Sequence, residues 1–166
     1  MVSCYGDIDF KQIEDYTLTP EIVSPLIYFT VLPNKFFNGA NIQQPFIEDI
    51  ADFRAFEDNT LRGNVVKIVI DVEIKNEFDR SFGAQIDLLN EEGEVTYTIN
   101  RFAIPANDLN YVHPSEEILI EDNFNVKDAT KVRVRVTDSS ARAIDVNDTT
   151  EFQFKSSLKV FLELGA

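Results

Sequence analysis

The sequence predicts an all-β domain: a two-sheet antiparallel β-sandwich, immunoglobulin-like in its layering, with about eight strands. Three observations predict it. Apolar and polar residues alternate with period two through most of the stretch from Asn64 to Leu164, the pattern of strands lying between core and water. Turn-forming residues interrupt that alternation at near-regular intervals. No strong helical period separates the strand candidates, which argues against an α/β fold. A small closed β-barrel is the alternative arrangement of the same strands. The Cys and Trp hallmarks of antibody domains are missing, because Trp is absent and Cys4 is the single cysteine.

Residues 1–19 read as an N-terminal tether, polar and acidic with scattered apolar residues such as Phe10 and Ile13, and residues 20–166 read as one domain. Pro20 and Pro25 bracket the approach to a first strand, Leu26 to Leu32, apolar on both faces and stopped by Pro33-Asn34, since proline lacks a ladder donor. The run 46–56 fits a short helix with Phe46, Ile50 and Phe53 on one face, or an imperfect strand with Phe46, Ile50, Arg54 and Phe56 on one face, and the extended form is preferred. From Asn64 onward, Val66, Ile68, Ile70, Val72 and Ile74 share one face while Lys67, Asp71, Glu73 and Lys75 share the other.

A polar turn then leads to Phe82, Ala84, Ile86 and Leu88, and Asn90-Glu91-Glu92-Gly93 forms a hairpin signal ahead of Val95, Tyr97 and Ile99. Phe102 and Ile104 extend that strand to Pro105. Tyr111 to His113 and Ile118 to Ile120 are short strand candidates. Val132, Val134 and Val136 face away from Lys131, Arg133 and Arg135, and the last strand places Phe152, Phe154, Leu158, Val160, Leu162 and Leu164 at even positions.

Bulk composition removes several function classes. With 166 residues and 44% hydrophobic side chains, the chain can bury a core without disulfide staples. One Cys and one His cannot assemble a zinc cluster. Fifteen Lys and Arg against 29 Asp and Glu leave a formal charge of −14, a field that repels nucleic-acid phosphates and anionic headgroups alike. No stretch approaches the ~20 consecutive apolar residues of a membrane-spanning helix.

Asn76-Glu77-Phe78-Asp79-Arg80-Ser81-Phe82, Leu88-Leu89 with Gly93, Tyr97-Thr98-Ile99 and Phe154-Lys155-Ser156-Ser157, together with Val2-Ser3-Cys4, span most of the chain. On these residues the sequence resembles a group of β-sandwich lipoproteins of flavobacteria, members of the Bacteroidota. The resemblance implies a β-sandwich body and a bacterial cell-envelope address, lipid-anchored at the outer membrane, and brings no activity with it. It implies Cys4 as the lipidated residue, with Met1, Val2 and Ser3 where relatives resemble Leu-Val-Ser. Met for Leu departs from that pattern, and three residues are too few for a leader, so this reading expects a start further upstream or a leader trimmed away. The implied partners are the membrane, through the anchor, and an outer-membrane protein complex beside it.

Chemistry is sparsely written. Any Ser-His-Asp or Cys-His site must use His113, which lies in Tyr111-Val112-His113-Pro114-Ser115 with no nucleophile-elbow pattern around it. The six glycines are scattered and form no phosphate loop. Asp145, Asn147, Asp148 and Glu151 offer alternating oxygen donors for calcium, as does the stretch from Glu121 to Asp128. Simple polar turns use the same residues, and neither stretch has the EF-hand spacing. Asp148-Thr149-Thr150 resembles an O-glycosylation pattern of the same bacterial group, with Thr149 as acceptor.

Three functions compete on this basis. The first is a non-catalytic envelope lipoprotein acting as a binding or accessory module. The second is a carbohydrate-active enzyme using paired carboxylates, against which stand the absence of Trp and the assignment of the 14 Phe to the core. The third is a structural or adhesive surface domain with Leu26 to Leu32 as an open edge.

Overall fold

The computed structural model describes residues 17–140 and 142–165. Ten strands dominate it: β1 (Thr17–Leu18), β2 (Glu21–Val31), β3 (Phe46–Asp52), β4 (Val65–Asn76), β5 (Phe82–Leu89), β6 (Val95–Ile104), β7 (Tyr111–Leu119), β8 (Lys131–Asp138), β9 (Phe152–Leu162) and β10 (Leu164–Gly165). One sheet runs β2-β9-β4-β7, the other β3-β8-β5-β6, and β1 pairs with β10. All of these pairings are antiparallel.

The order has a simple generator. Pairing β1 with β10, β2 with β9, β3 with β8, β4 with β7 and β5 with β6 makes one long nested hairpin whose tip is the Asn90–Gly93 turn, where Gly93 adopts a φ of 84°. Wound into two packed sheets, that hairpin is a jelly roll. The antiparallel sandwich expected from the alternation is therefore present. Its winding goes beyond the immunoglobulin likeness, because β5 and β6 are the one pair of chain-adjacent strands that hydrogen-bond. Among the described residues neither sheet closes into a barrel, and β2, β7, β3 and β6 are edges.

The inner faces follow the period-two pattern. Val132, Val134 and Val136 on β8 and Phe152 and Phe154 on β9 have no exposed surface. Two irregularities explain where the pattern bends. A bulge between Val65 and Lys67 turns Val65 inward and leaves Val66 40% exposed, so Val66 does not share the core face with Ile68 as its spacing suggests. A second bulge sets Ala84 opposite Phe102 but Ile86 opposite Ile99, giving β6 one extra residue and switching its inward positions from odd to even.

Pro25 lies inside β2 rather than ahead of it. It is tolerated because β2 is an edge and its register shifts between Pro25 and Ile27. The buried Ser156 hydroxyl repairs that bulge, accepting from the Ile27 N–H at 3.2 Å. The strand reading of 46–56 holds for β3, and a helix of six residues follows it, α1 (Asn59–Asn64), capped by the Asp58 carboxylate accepting from the Thr60 and Leu61 N–H groups. The two short candidates around His113 and Ile118 are a single strand, β7, running through Pro114 on an edge. Thr17 and Leu18, at the end of the segment read as a tether, form β1.

Candidate functional site

Antiparallel winding sorts the connections into two ends. Segments 32–45, 77–81, 105–110 and 139–151 meet at one end; segments 53–64, 90–94 and 120–130 lie at the other with β1 and β10. The four-loop end is knitted by main-chain bonds between different connections: Asn107 N–H to Phe78 C=O (2.9 Å), Glu77 N–H to Glu151 C=O (3.0 Å) and Ser139 N–H to Ser81 C=O (3.2 Å). The Ile144 N–H donates to the Gln43 side-chain oxygen at 2.8 Å, joining the first and last loops.

Two buried polar side chains lock this arrangement. The Arg80 guanidinium donates to the Asp138 carboxylate (3.0 Å) and to the Arg142 and Ala143 carbonyls (2.8 and 3.0 Å). Asn76, with no exposed surface, donates to the Arg80 and Pro105 carbonyls and accepts from the Phe78 N–H. Beneath them Phe82 packs on Phe36, Phe78 and Phe152 with ring centroids 5.3 to 5.5 Å apart. The segment Asn76 to Phe82 is thus the brace of the loop end. Sequence reasoning missed Arg80, because an arginine in a polar turn reads as solvent-facing.

The calcium candidates sit in the same end but do not converge. The Asp145 carboxylate accepts from the Asn147 N–H (2.9 Å), and Asp148 accepts from the Thr150 N–H (3.1 Å) and hydroxyl (3.0 Å), which are self-contained turns. Glu151 instead accepts from Lys75 and Gln153. Among the described residues, no group of three or more His, Cys, Asp or Glu side chains has the geometry to hold a metal ion. Asp128, in the other acidic stretch, is bound by Arg62 at 2.6 Å. Thr149 is exposed on the loop end. Cys4, Phe10 and Ile13 lie outside the described residues.

Carboxylates do come together on Lys75, which bridges Glu77 (2.6 Å) and Glu151 (3.2 Å) beside a shallow hollow of about 340 Å³ lined by Tyr111, Val112 and Lys155. The Lys75 hydrogen bond holds the Glu77 carboxyl below its usual range. A carboxyl so held is ionised at neutral pH, so Glu77 does not supply the protonated acid that glycoside hydrolysis needs. On the outer face of β5, burial raises the Asp87 carboxyl, but hydrogen bonds from Arg133, Gln85 and Thr98 outweigh it and hold the group below the usual carboxylate range.

His113 lies elsewhere, in the seam between edge strands β6 and β7. Its ring stacks on Phe102 at 3.9 Å, Phe102 stacks on Tyr111 at 6.1 Å, and the Tyr97 hydroxyl donates to Glu116 at 2.7 Å. Burial and that bond push the Tyr97 phenol up to about 12. Burial lowers the His113 pKa against the opposing pull of Glu116. The fold therefore prefers neutral imidazole, and the stability this gives is complete above about pH 6.5, the ordinary imidazole value. It is lost as pH falls through the lowered folded value. Urea unfolding of the protein and of His113→Gln at pH 7.5 and pH 5 checks this: the variant should lose less stability between the two.

At the membrane-relevant level, no helix among the described residues is long and apolar enough to cross a bilayer. No family model matches the chain, and no curated protein matches it. Solved structures that match the chain include the VP2 subviral particle of infectious bursal disease virus, 13% identical with a TM-score of 0.43 over 90% of this chain and 33% of that one. A Parabacteroides distasonis protein thought to be secreted is 13% identical, with a TM-score of 0.49 over 69% of this chain and 38% of that one. The enzymatically active domain of bacteriophage CBA120 tailspike protein 4 is 11% identical, with a TM-score of 0.43 over 92% of this chain and 20% of that one. This chain spans well under half the length of each, and none of the three likenesses bears on activity.

Proposed function

We propose that the chain is a non-catalytic binding or accessory module of the bacterial cell envelope, anchored at the outer membrane by acylation of Cys4 and presenting its four-loop end to a partner complex. The observation that supports this most is the polarity of the sandwich. Thr17, the first described residue on the Cys4 side, is at the opposite end from the loops braced by Arg80. An anchor at Cys4 would leave those loops facing away from the lipid. Several acyl chains at ~0.8 kcal/mol per buried methylene would outweigh the repulsion between a chain of charge −14 and anionic headgroups.

Mass spectrometry of the protein extracted from its own cells should find diacylglyceryl and acyl additions on Cys4. Cys4→Ser should move the protein from the detergent phase to the aqueous phase on partitioning. An unmodified cysteine, or unchanged partitioning of the variant, overturns the anchor.

A further inference from the structure

The two seams of the sandwich differ. Aromatic stacking and the Tyr97–Glu116 bond span the β6/β7 seam, whereas the β2/β3 seam holds two hollows, about 450 Å³ beside Phe29 and Ile47 and about 360 Å³ over Leu26, Leu158 and Val160. Along it, β3 pairs with β8 alone among the described residues. The Asp138 N–H donates to the Pro45 carbonyl (3.0 Å) and the Phe53 N–H to the Thr130 carbonyl (2.8 Å), at the two ends of an unbroken register. Hydrogen-bonded positions alternate in an antiparallel pair, so odd-numbered residues of β3 bond β8, while Phe46, Glu48, Ile50 and Asp52 aim their N–H and C=O groups away from it.

One of those groups is latched: the Ile50 N–H donates to the Asp49 carboxylate at 3.1 Å. Glu48 is paired with Arg135 at 3.0 Å and Asp52 with Arg54 at 3.1 Å, but Asp49 has no ion-pair partner among the described residues. A lysine or arginine brought alongside would draw the Asp49 carboxylate off the edge and free the N–H for pairing.

We propose that the β3 edge accepts an extended peptide segment as an added strand, with apolar side chains entering the two hollows and a basic side chain between them on the same face, opposite Asp49, and that Asp49 is the latch which makes acceptance depend on positive charge. Strand addition draws affinity from main-chain bonds and specificity from pockets for alternate residues. Charge decides between occupants. A second copy would bring its own unpaired Asp49 to the edge in place of a cation, and residues 5–16 carry Asp7, Asp9, Glu14 and Asp15 against Lys11 alone. The proposal goes beyond the anchored-module reading and does not depend on Cys4.

The test uses the full chain and three synthetic peptides in which every second residue, on the face towards the hollows, reads valine, X, valine, with threonine at the positions between and X as lysine, threonine or glutamate. Amide exchange at Phe46, Glu48 and Asp52 should slow with the lysine peptide, which should bind roughly tenfold or more tightly than the threonine peptide. Asp49→Asn should remove most of that preference while retaining strand addition. Protection at β7 instead of β3, equal binding of the lysine and glutamate peptides, or an unchanged preference in Asp49→Asn overturns the proposal. So does protection of β3 without peptide, whether it disappears on deleting residues 5–16 or on dilution.

Discussion

Arg80→Met should lower the unfolding free energy by about 3–5 kcal/mol, the range for breaking a buried ion pair from one side. The reason is what the substitution leaves behind. Arg80 is 7% exposed and the Asp138 side chain 3% exposed, so removing the guanidinium leaves a buried carboxylate with the Ser140 N–H but no counter-charge and frees the Arg142 and Ala143 carbonyls. Against a total stability of roughly 5–15 kcal/mol this is a large fraction. Arg80→Lys should recover little, because a single ammonium cannot reproduce a planar fork reaching three acceptors. Adding Asp138→Asn to Arg80→Met should restore part of the loss by removing the stranded charge, and urea unfolding of the four proteins in a double-mutant cycle measures the coupling. Native-state amide exchange adds a local readout: residues 139–151 should lose protection first, since the guanidinium is what ties that loop to the segment 77–81.

Little of that bracing was legible in the sequence, although much of the fold was. The even-numbered apolar residues of β9 and the valines of β8 predict their buried faces because a strand places every second side chain on one side of a sheet. The switch from Tyr97 and Ile99 to Phe102 and Ile104 was visible as a change of parity, and the bulge opposite Ala84 and Ile86 is its cause. Val66 gave no such sign, since a bulge next to it leaves the spelling of the strand unchanged. The winding was hidden for a different reason: β2 pairs with β9 across more than a hundred intervening residues, and alternation says which face is buried but not which strand lies beside it. Helix α1 is too short to carry a period, leaving Asp58 as its sole local signal. At the loop end, Asp145 and Asp148 read equally as calcium ligands and as turn residues, and their hydrogen bonds to Asn147 and Thr150 are those of turns. The latch on β3 could not be read at all, because Asp49 has the parity of a core-facing residue and only the pairing with β8 reveals which N–H groups are free.

Phe82→Ala should cost about 3–5 kcal/mol, as for other buried aromatic truncations. Phe82 has no exposed surface and is the hub of the aromatic cluster, stacked on Phe36 at 5.5 Å and edge-on to Phe78 and Phe152 at 5.3 Å. Truncation forfeits the burial of one ring and the favourable geometry of three aromatic pairs, and leaves a void the sheets cannot close by collapse. Because Phe36 comes from the 32–45 connection and Phe78 from the 77–81 connection, the void sits directly under the loops that Arg80 clamps from the other side. The losses in Phe82→Ala and Arg80→Met should therefore not add: once either the floor or the clamp is gone, part of what the other holds is already loose, and the double variant should be destabilised by less than the sum of the two. Equilibrium unfolding of both single variants and the double variant decides it, and strict additivity would mean that the aromatic floor and the guanidinium clamp stabilise this end independently.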